Sequence, residues 1–301
     1  MTGRLSSPPR ATIGGQAVLE GVMIRGPHWV STAVRRPDGA IAEEVLHRPS
    51  ALVRRRWARL PVVRGAVVLW EALVLGTRAL VYSASQAVAG ELGRPLSSRE
   101  VALSLGLGVG LAVGLFFVLP TVLVRWVDPG WGVVSFNLVE GLVRAGVLVL
   151  YVGAVGAFPE IRRVFMYHGA EHKVVNAWER GVPLVVDEVQ KQSRFHPRCG
   201  TSFLLVVVLV AVGVFSLLGK PPLWARVVSR VLLVPLIAGV AYEVIRAGAR
   251  SRWLRPLVAP GIWLQRLTTR EPDPRQVEVA IRALQAVLDR EDSGSLERTV
   301  V

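Results

Sequence analysis

The sequence predicts a membrane α-helical fold: about four transmembrane helices, a small N-terminal antiparallel β-sheet and cytoplasmic helices. Three observations predict it. Hydrophobic residues make up 51% of the 301 residues and charged residues only 19%, with a mean hydropathy of +0.44. The apolar residues are gathered into runs long enough to cross a bilayer. The formal charge of +14 is carried almost entirely outside those runs. The composition excludes a disordered chain, which lacks apolar residues. It also excludes a disulfide scaffold, since Cys199 is the one cysteine.

Residues 1–60 read as a cytoplasmic β region. Trp29–Arg36 and Ala40–His47 alternate apolar and polar side chains around Pro37-Asp38-Gly39, a strong turn signal. Gln16–Ile24 reads as another strand, punctuated by Gly14-Gly15 and Gly26-Pro27. Arg54-Arg55-Arg56-Trp57 suits a lipid headgroup region. The N-terminus has no apolar core of a signal peptide, so no cleavable leader is expected. Residues 61–92 are apolar but carry Arg64, Glu71 and Arg78, spaced by seven. On a helix that spacing makes one polar stripe, which predicts an amphipathic helix at the cytoplasmic interface or packed on the bundle. As a fifth span it would place the Arg-rich N-terminus outside.

Residues 101–157 read as a first transmembrane hairpin. Val101–Val124 is free of charge, and Val133–Ala157 is interrupted only by Glu140 and Arg144. These two are i, i+4 on one helix face and are expected to pair, with Asn137 on the same face. The turn holds Asp128-Pro129-Gly130. Residues 202–247 read as a second hairpin: Ser202–Gly219 carries no charge, Pro221-Pro222 mark the turn, and Val227–Ile245 carries Arg230 and Glu243 near its ends. Residues 248–301 form a cytoplasmic C-terminal region. There Pro272-Asp273-Pro274 introduce an amphipathic helix over 275–290, with Val277, Ile281, Leu284 and Leu288 at helical spacing. The last ten residues are expected to fray.

A pI near 11.3 has two explanations: a nucleic-acid binder, or a membrane protein whose cytoplasmic loops collect Arg and Lys. The location of the charges favours the second. Residues 1–100, 158–201 and 246–301 hold 31 of the 36 basic residues. That bias places both termini and the 158–201 segment in the cytoplasm. The bilayer is then the first partner. Nucleic acid is not expected beyond contact with a ribosome, and nothing calls for an organic cofactor.

The cytoplasmic segment 158–201 holds three of the five His and the single Cys. His168-Gly169-Ala170-Glu171-His172 is H-x-x-E-H, which on a helix sets two imidazoles and a carboxylate on one face. That is the order of two zinc ligands and a general base in inverzincins. His196 and Cys199 add two further zinc-type donors. The expected ligands are thus His168, His172, His196 and Cys199, with Glu171 as catalytic base. The alternative is a polar hydrogen-bonded cluster without metal. A carboxylate could also serve as ligand, and Glu243 is the candidate, although pairing with Arg246 or snorkelling to the interface is the preferred explanation of it. Gln16 and Glu20 could supply polar groups beside the cluster.

Four strings carry a resemblance: Gly14 to Met23, His168 to Lys173, Ser193 to Phe203 and Trp263 to Pro272. With them the chain resembles the bacterial YqhQ family, multi-pass membrane proteins of a domain-of-unknown-function class. One departure is Ile24, where relatives are expected to have Met. The resemblance implies a protein of the bacterial cell membrane, of a kind labelled a predicted metal-dependent enzyme. That label rests on motifs like H-x-x-E-H, and no established reaction comes with it. Two functions are therefore open: a zinc-dependent hydrolase at the membrane surface, or a non-catalytic biogenesis or scaffolding factor in a membrane-protein complex.

Overall fold

The structure is a computed structural model that describes residues 13–92, 97–219, 221–250 and 255–297. Four strands, β1 (Gly14–Val18), β2 (Gly21–Arg25), β3 (Trp29–Arg35) and β4 (Ile41–His47), form an antiparallel sheet in sequence order. The hairpin between β3 and β4 turns at Pro37–Gly39, with Gly39 at φ +87°, and Arg36 N donates to Ala40 O at 2.8 Å. The expected single strand over Gln16–Ile24 is corrected to two. The chain reverses at Leu19-Glu20, where Glu20 adopts φ +50°. Gly21 follows because a Cβ there would run into the carbonyl of Ala33.

The helices are α1 (Ala51–Arg54), α2 (Val63–Leu92), α3 (Ser98–Val113), α4 (Leu119–Val127), α5 (Val133–Val155), α6 (Pro159–Arg180), α7 (Val186–Gln190), α8 (Gly200–Leu217), α9 (Leu223–Leu232), α10 (Val234–Arg250), α11 (Arg255–Thr268) and α12 (Pro274–Glu297). A π-helical turn, Gly114–Val118, joins α3 to α4. Strand side chains alternate between faces, and both faces of the sheet are used. Val22, Ile24 and Ala33 join Tyr167, Ala170 and Val174 of α6 and Val277, Ala280 and Leu284 of α12 in one core. On the other face Val18, Met23, Val30 and Val34 pack on Ala79, Leu75 and Tyr82 of α2. The C-terminal helix runs on to Glu297, past its expected end; residues 298–301 lie outside the described set.

Three helical stretches are long and apolar enough to cross a bilayer: Val63–Ala87, Ser98–Val127 and Val133–Val155. The pair Leu223–Leu232 and Val234–Gly248 makes a fourth, bent by 50°. Pro235 explains the bend, since its ring removes a helical N–H and crowds the preceding turn. Phe203–Leu217 is apolar but shorter. Val63–Ala87 passes by length and composition, but its polar stripe is engaged with protein. Arg64 pairs with Glu243, Glu71 with Arg25, and Arg78 with Glu44. Its outward face is apolar, with Trp70 68% and Leu73 56% exposed. The expected pair of Glu140 and Arg144 forms at 2.5 Å.

Candidate metal centre

Helix α6 is built to hold the cluster rigidly. Pro159 stands in its first turn, and Gly181 closes it in the left-handed conformation at φ +71°. His168, His172 and Asn176 follow at i, i+4, i+8 on one face, and each donates to a backbone carbonyl of a neighbouring segment. His168 Nδ1 meets Thr268 O at 2.8 Å, His172 Nδ1 meets Arg194 O at 2.6 Å, and Asn176 Nδ2 meets Ser193 O at 2.8 Å. The α6 face approaches so closely because Gly169 has no side chain: a Cβ there would collide with the carbonyl of Arg270.

A carbonyl can only accept, so Nδ1 carries the proton in both rings. The lone pairs of His168 Nε2 and His172 Nε2 then face inward. His168 Nε2 lies 3.3 Å from Cys199 Sγ, and the two rings are 4.5 Å apart between centroids. One donor atom from each of His168, His172 and Cys199 falls within 4.8 Å of the others. Cys199 sits at the N-cap of α8, where Sγ accepts the Thr201 N–H at 3.4 Å. These donors line a cavity of about 110 Å³ with Gly14, Gly15, Glu171, His196 and Arg198.

Glu171 is buried beside the donors, its Oε2 3.5 Å from His172 Nε2. Burial pushes its carboxyl up to about 7; His168 pulls it down and Glu179 adds to the rise. Gly15 on β1 makes this possible, since a Cβ there would lie 2.7 Å from the Glu171 Cγ and Oε1.

His196 lines the cavity, but its nitrogens are turned elsewhere. Nδ1 accepts the Arg198 N–H at 3.3 Å and Nε2 faces Glu179 at 3.4 Å. Burial pushes its pKa down, and Glu179 counters that. Its backbone is clamped by Gln265, which accepts from His196 N at 2.9 Å and donates to His196 O at 2.8 Å. The ring lines the cavity, with its nitrogens outside the close group of His168, His172 and Cys199 donors.

The other expected polar groups lie away from the cavity. Gln16 lies over Gly76 of α2, because neighbouring strand residues point to opposite faces and Gly15 faces the cluster. Glu20 accepts from Arg163 Nε at 2.6 Å and from the Tyr167 hydroxyl at 3.3 Å, fixing the β1–β2 turn on α6. Glu243 is taken by Arg64 and the Val62 N–H rather than by Arg246. Sequence reasoning missed the contributions of Gly14, Gly15, Gln265 and the Thr268 carbonyl. Their one signal was that all four fall inside the strings that carry the family resemblance.

These features define a class: a helical protein with membrane-length apolar segments and a partly buried His/His/Cys cluster between α6 and α8. Residues 60–290 match the family described as Protein of unknown function (DUF1385). The chain is also 36% identical over 294 residues, 91% of its own length and 92% of the relative's, to a Bacillus subtilis (strain 168) protein described as "Uncharacterized protein YqhQ". The chain belongs to this family. No solved structure matches it.

Proposed function

We propose that this is an integral membrane protein with both termini in the cytoplasm and a divalent-metal centre, zinc by its donors, that serves a hydrolase at the membrane surface. The observation that carries the reading is the donor set of His168, His172 and Cys199 within 4.8 Å, with both imidazoles fixed through Nδ1. Imidazole and thiol donors suit zinc, and a carbonyl on the far ring nitrogen is the usual way a ligating His is oriented. Three protein donors leave one tetrahedral position for water or substrate. A bound ion would supply Lewis acidity there. Glu171, lining the same cavity, would take a proton from water and return it to the leaving group. Arg198, paired with Glu179, stands at the cavity wall, where a lipid, peptide or membrane-protein substrate would enter.

The test begins with metal content. Tag-free protein in detergent is expected to carry close to one equivalent of zinc by mass spectrometry, and a folded His168→Ala/His172→Ala variant less than a tenth of that. Metal-free protein in both, after growth with added zinc, overturns the reading. Glu171→Gln should keep the metal and lose turnover at least 100-fold.

One observation favours a second reading, a non-catalytic biogenesis or scaffolding factor. The cluster ties α6, α8 and the end of α11 together, as a structural tether would. Activity in cells that survives Glu171→Gln would select it.

A further inference from the structure

At the hairpin-turn end of the helices the buried charges do not balance. Glu140 is the one buried carboxylate in that cluster. Its Oε1 accepts from Arg144 Nη2 at 2.5 Å, from Thr121 Oγ1 at 3.0 Å and from Arg230 Nε at 3.2 Å, and its Oε2 from Arg230 Nη2 at 2.9 Å. Arg230 Nη2 also reaches Asn137 Oδ1 at 2.8 Å. A third guanidinium, Arg226, lies one turn earlier on α9, stacked over the Phe136 ring at 4.4 Å and only 5% exposed. Among the described residues, Arg226 Nε and Arg230 Nη1 are buried polar atoms with no hydrogen-bond partner. Among the described residues, three buried guanidinium groups thus face one buried carboxylate, with the half-buried Asp128 within electrostatic range of Arg226. Asp128 nearby accepts the N–H groups of Gly130 and Trp131 at 3.1 and 2.7 Å.

Guanidinium does not shed its proton in proteins, so this excess charge cannot be removed by titration. Unpaired charge buried next to hydrocarbon is costly and calls for a counter-ion. The position says which kind. Trp126 and Trp224 are 86% and 71% exposed at this same end, as in the aromatic belt at headgroup depth. Arg125, at the end of α4, is exposed and within electrostatic range of Arg226. The planar fork of Arg fits phosphate oxygens two at a time.

We propose that Arg226 and Arg230, with Arg125 at the rim, bind the phosphate of an anionic phospholipid on the hairpin-turn side of the membrane. Arg226 is the outer contact, and Arg230 links the bound anion to the Glu140 network. The site is independent of the His/Cys centre.

The test is thermal unfolding of tag-free protein in a nonionic detergent, read by Trp fluorescence, with three additions: phosphatidylglycerol, phosphatidylcholine and inorganic phosphate. Phosphatidylglycerol is expected to raise Tm by about 5 °C, and phosphatidylcholine by less than a third of that. Arg226→Gln should cut the phosphatidylglycerol shift at least threefold, while Arg56→Gln, on the basic surface, keeps it. If Arg226→Gln does not fold, Arg226→Lys retains the charge without the fork. Native mass spectrometry should then find co-purified anionic lipid at less than half the parental occupancy. Equal shifts with both lipids, or a variant that responds like the parent, overturn the proposal. An equal shift with millimolar inorganic phosphate assigns the site to a free oxyanion and overturns the lipid assignment.

Discussion

Gly169 lies well inside α6, where alanine would ordinarily add about 1 kcal/mol of helix stability. Its surroundings reverse the sign. A Cβ would press on the Arg270 carbonyl, part of the chain that supplies the Thr268 carbonyl to His168. Gly169→Ala is therefore expected to destabilise the protein by about 1–3 kcal/mol and to lower the metal content that the proposed centre would give it. Gly146 in α5 has nothing within 4 Å of its Cβ position, so Gly146→Ala should leave Tm unchanged or raise it slightly. Thermal unfolding of both variants with metal analysis checks the contrast; a stable, fully loaded Gly169→Ala protein contradicts it. Spacing alone brought His168, His172 and Glu171 together, because i, i+3 and i+4 on a helix is local geometry. Cys199 was legible only as a donor nearby in sequence. The partners on Nδ1 were not legible, since a backbone carbonyl 100 residues away leaves no mark on the side-chain pattern.

At the scale of elements, α2 shows what periodicity can and cannot say. The seven-residue spacing of Arg64, Glu71 and Arg78 correctly announced one polar stripe, but it carried no information on what the stripe faces. It faces protein. Glu71 alone accepts from Arg25, from Ser50 Oγ at 2.9 Å and from Ala51 N at 2.6 Å. Removing it strands three donors in a largely dehydrated joint between α2, β2 and α1. Glu71→Ala is expected to cost about 2–4 kcal/mol. The exposed Arg282–Glu43 pair, 3.0 Å long with Arg282 65% exposed, is a contrasting case: Arg282→Ala should change stability by about 0.5 kcal/mol or less. Denaturant titration of both in detergent checks this, and comparable losses would contradict it. The β1–β2 turn was missed for a related reason. Its positive-φ residue is Glu20 rather than Gly or Asn, and what holds it there is a tertiary pairing with Arg163 on α6.

For the whole molecule, topology follows from counting crossings. The sheet, α6, α7 and α12 share one apolar core, so they lie on one side of the membrane. Between the sheet and α6 the chain runs through α2, the α3–α4 stretch and α5. If α3–α4 and α5 each cross once, α2 must not cross, or the sheet and α6 would be separated by the bilayer. The length and composition of α2 permit a span, yet its ion pairs tie it along the sheet and to α10. Its exposed Trp70 and Leu73 then face the interfacial region, as an in-plane amphipathic helix requires. The same count makes α8 and the bent α9–α10 pair cross together or turn back together before α12. The test places single cysteines at exposed positions, Asp38→Cys, Pro129→Cys and Pro222→Cys in turns and Ser293→Cys near the end of α12. Cys199 is buried and contributes little background. With a membrane-impermeant maleimide on intact cells, Pro129→Cys and Pro222→Cys are expected to label. Asp38→Cys and Ser293→Cys should label only after permeabilisation. Outside labelling at Asp38→Cys but not at Ser293→Cys would break the shared core and sink this topology. Labelling at Pro129→Cys without Pro222→Cys would make α8 and the bent pair re-entrant.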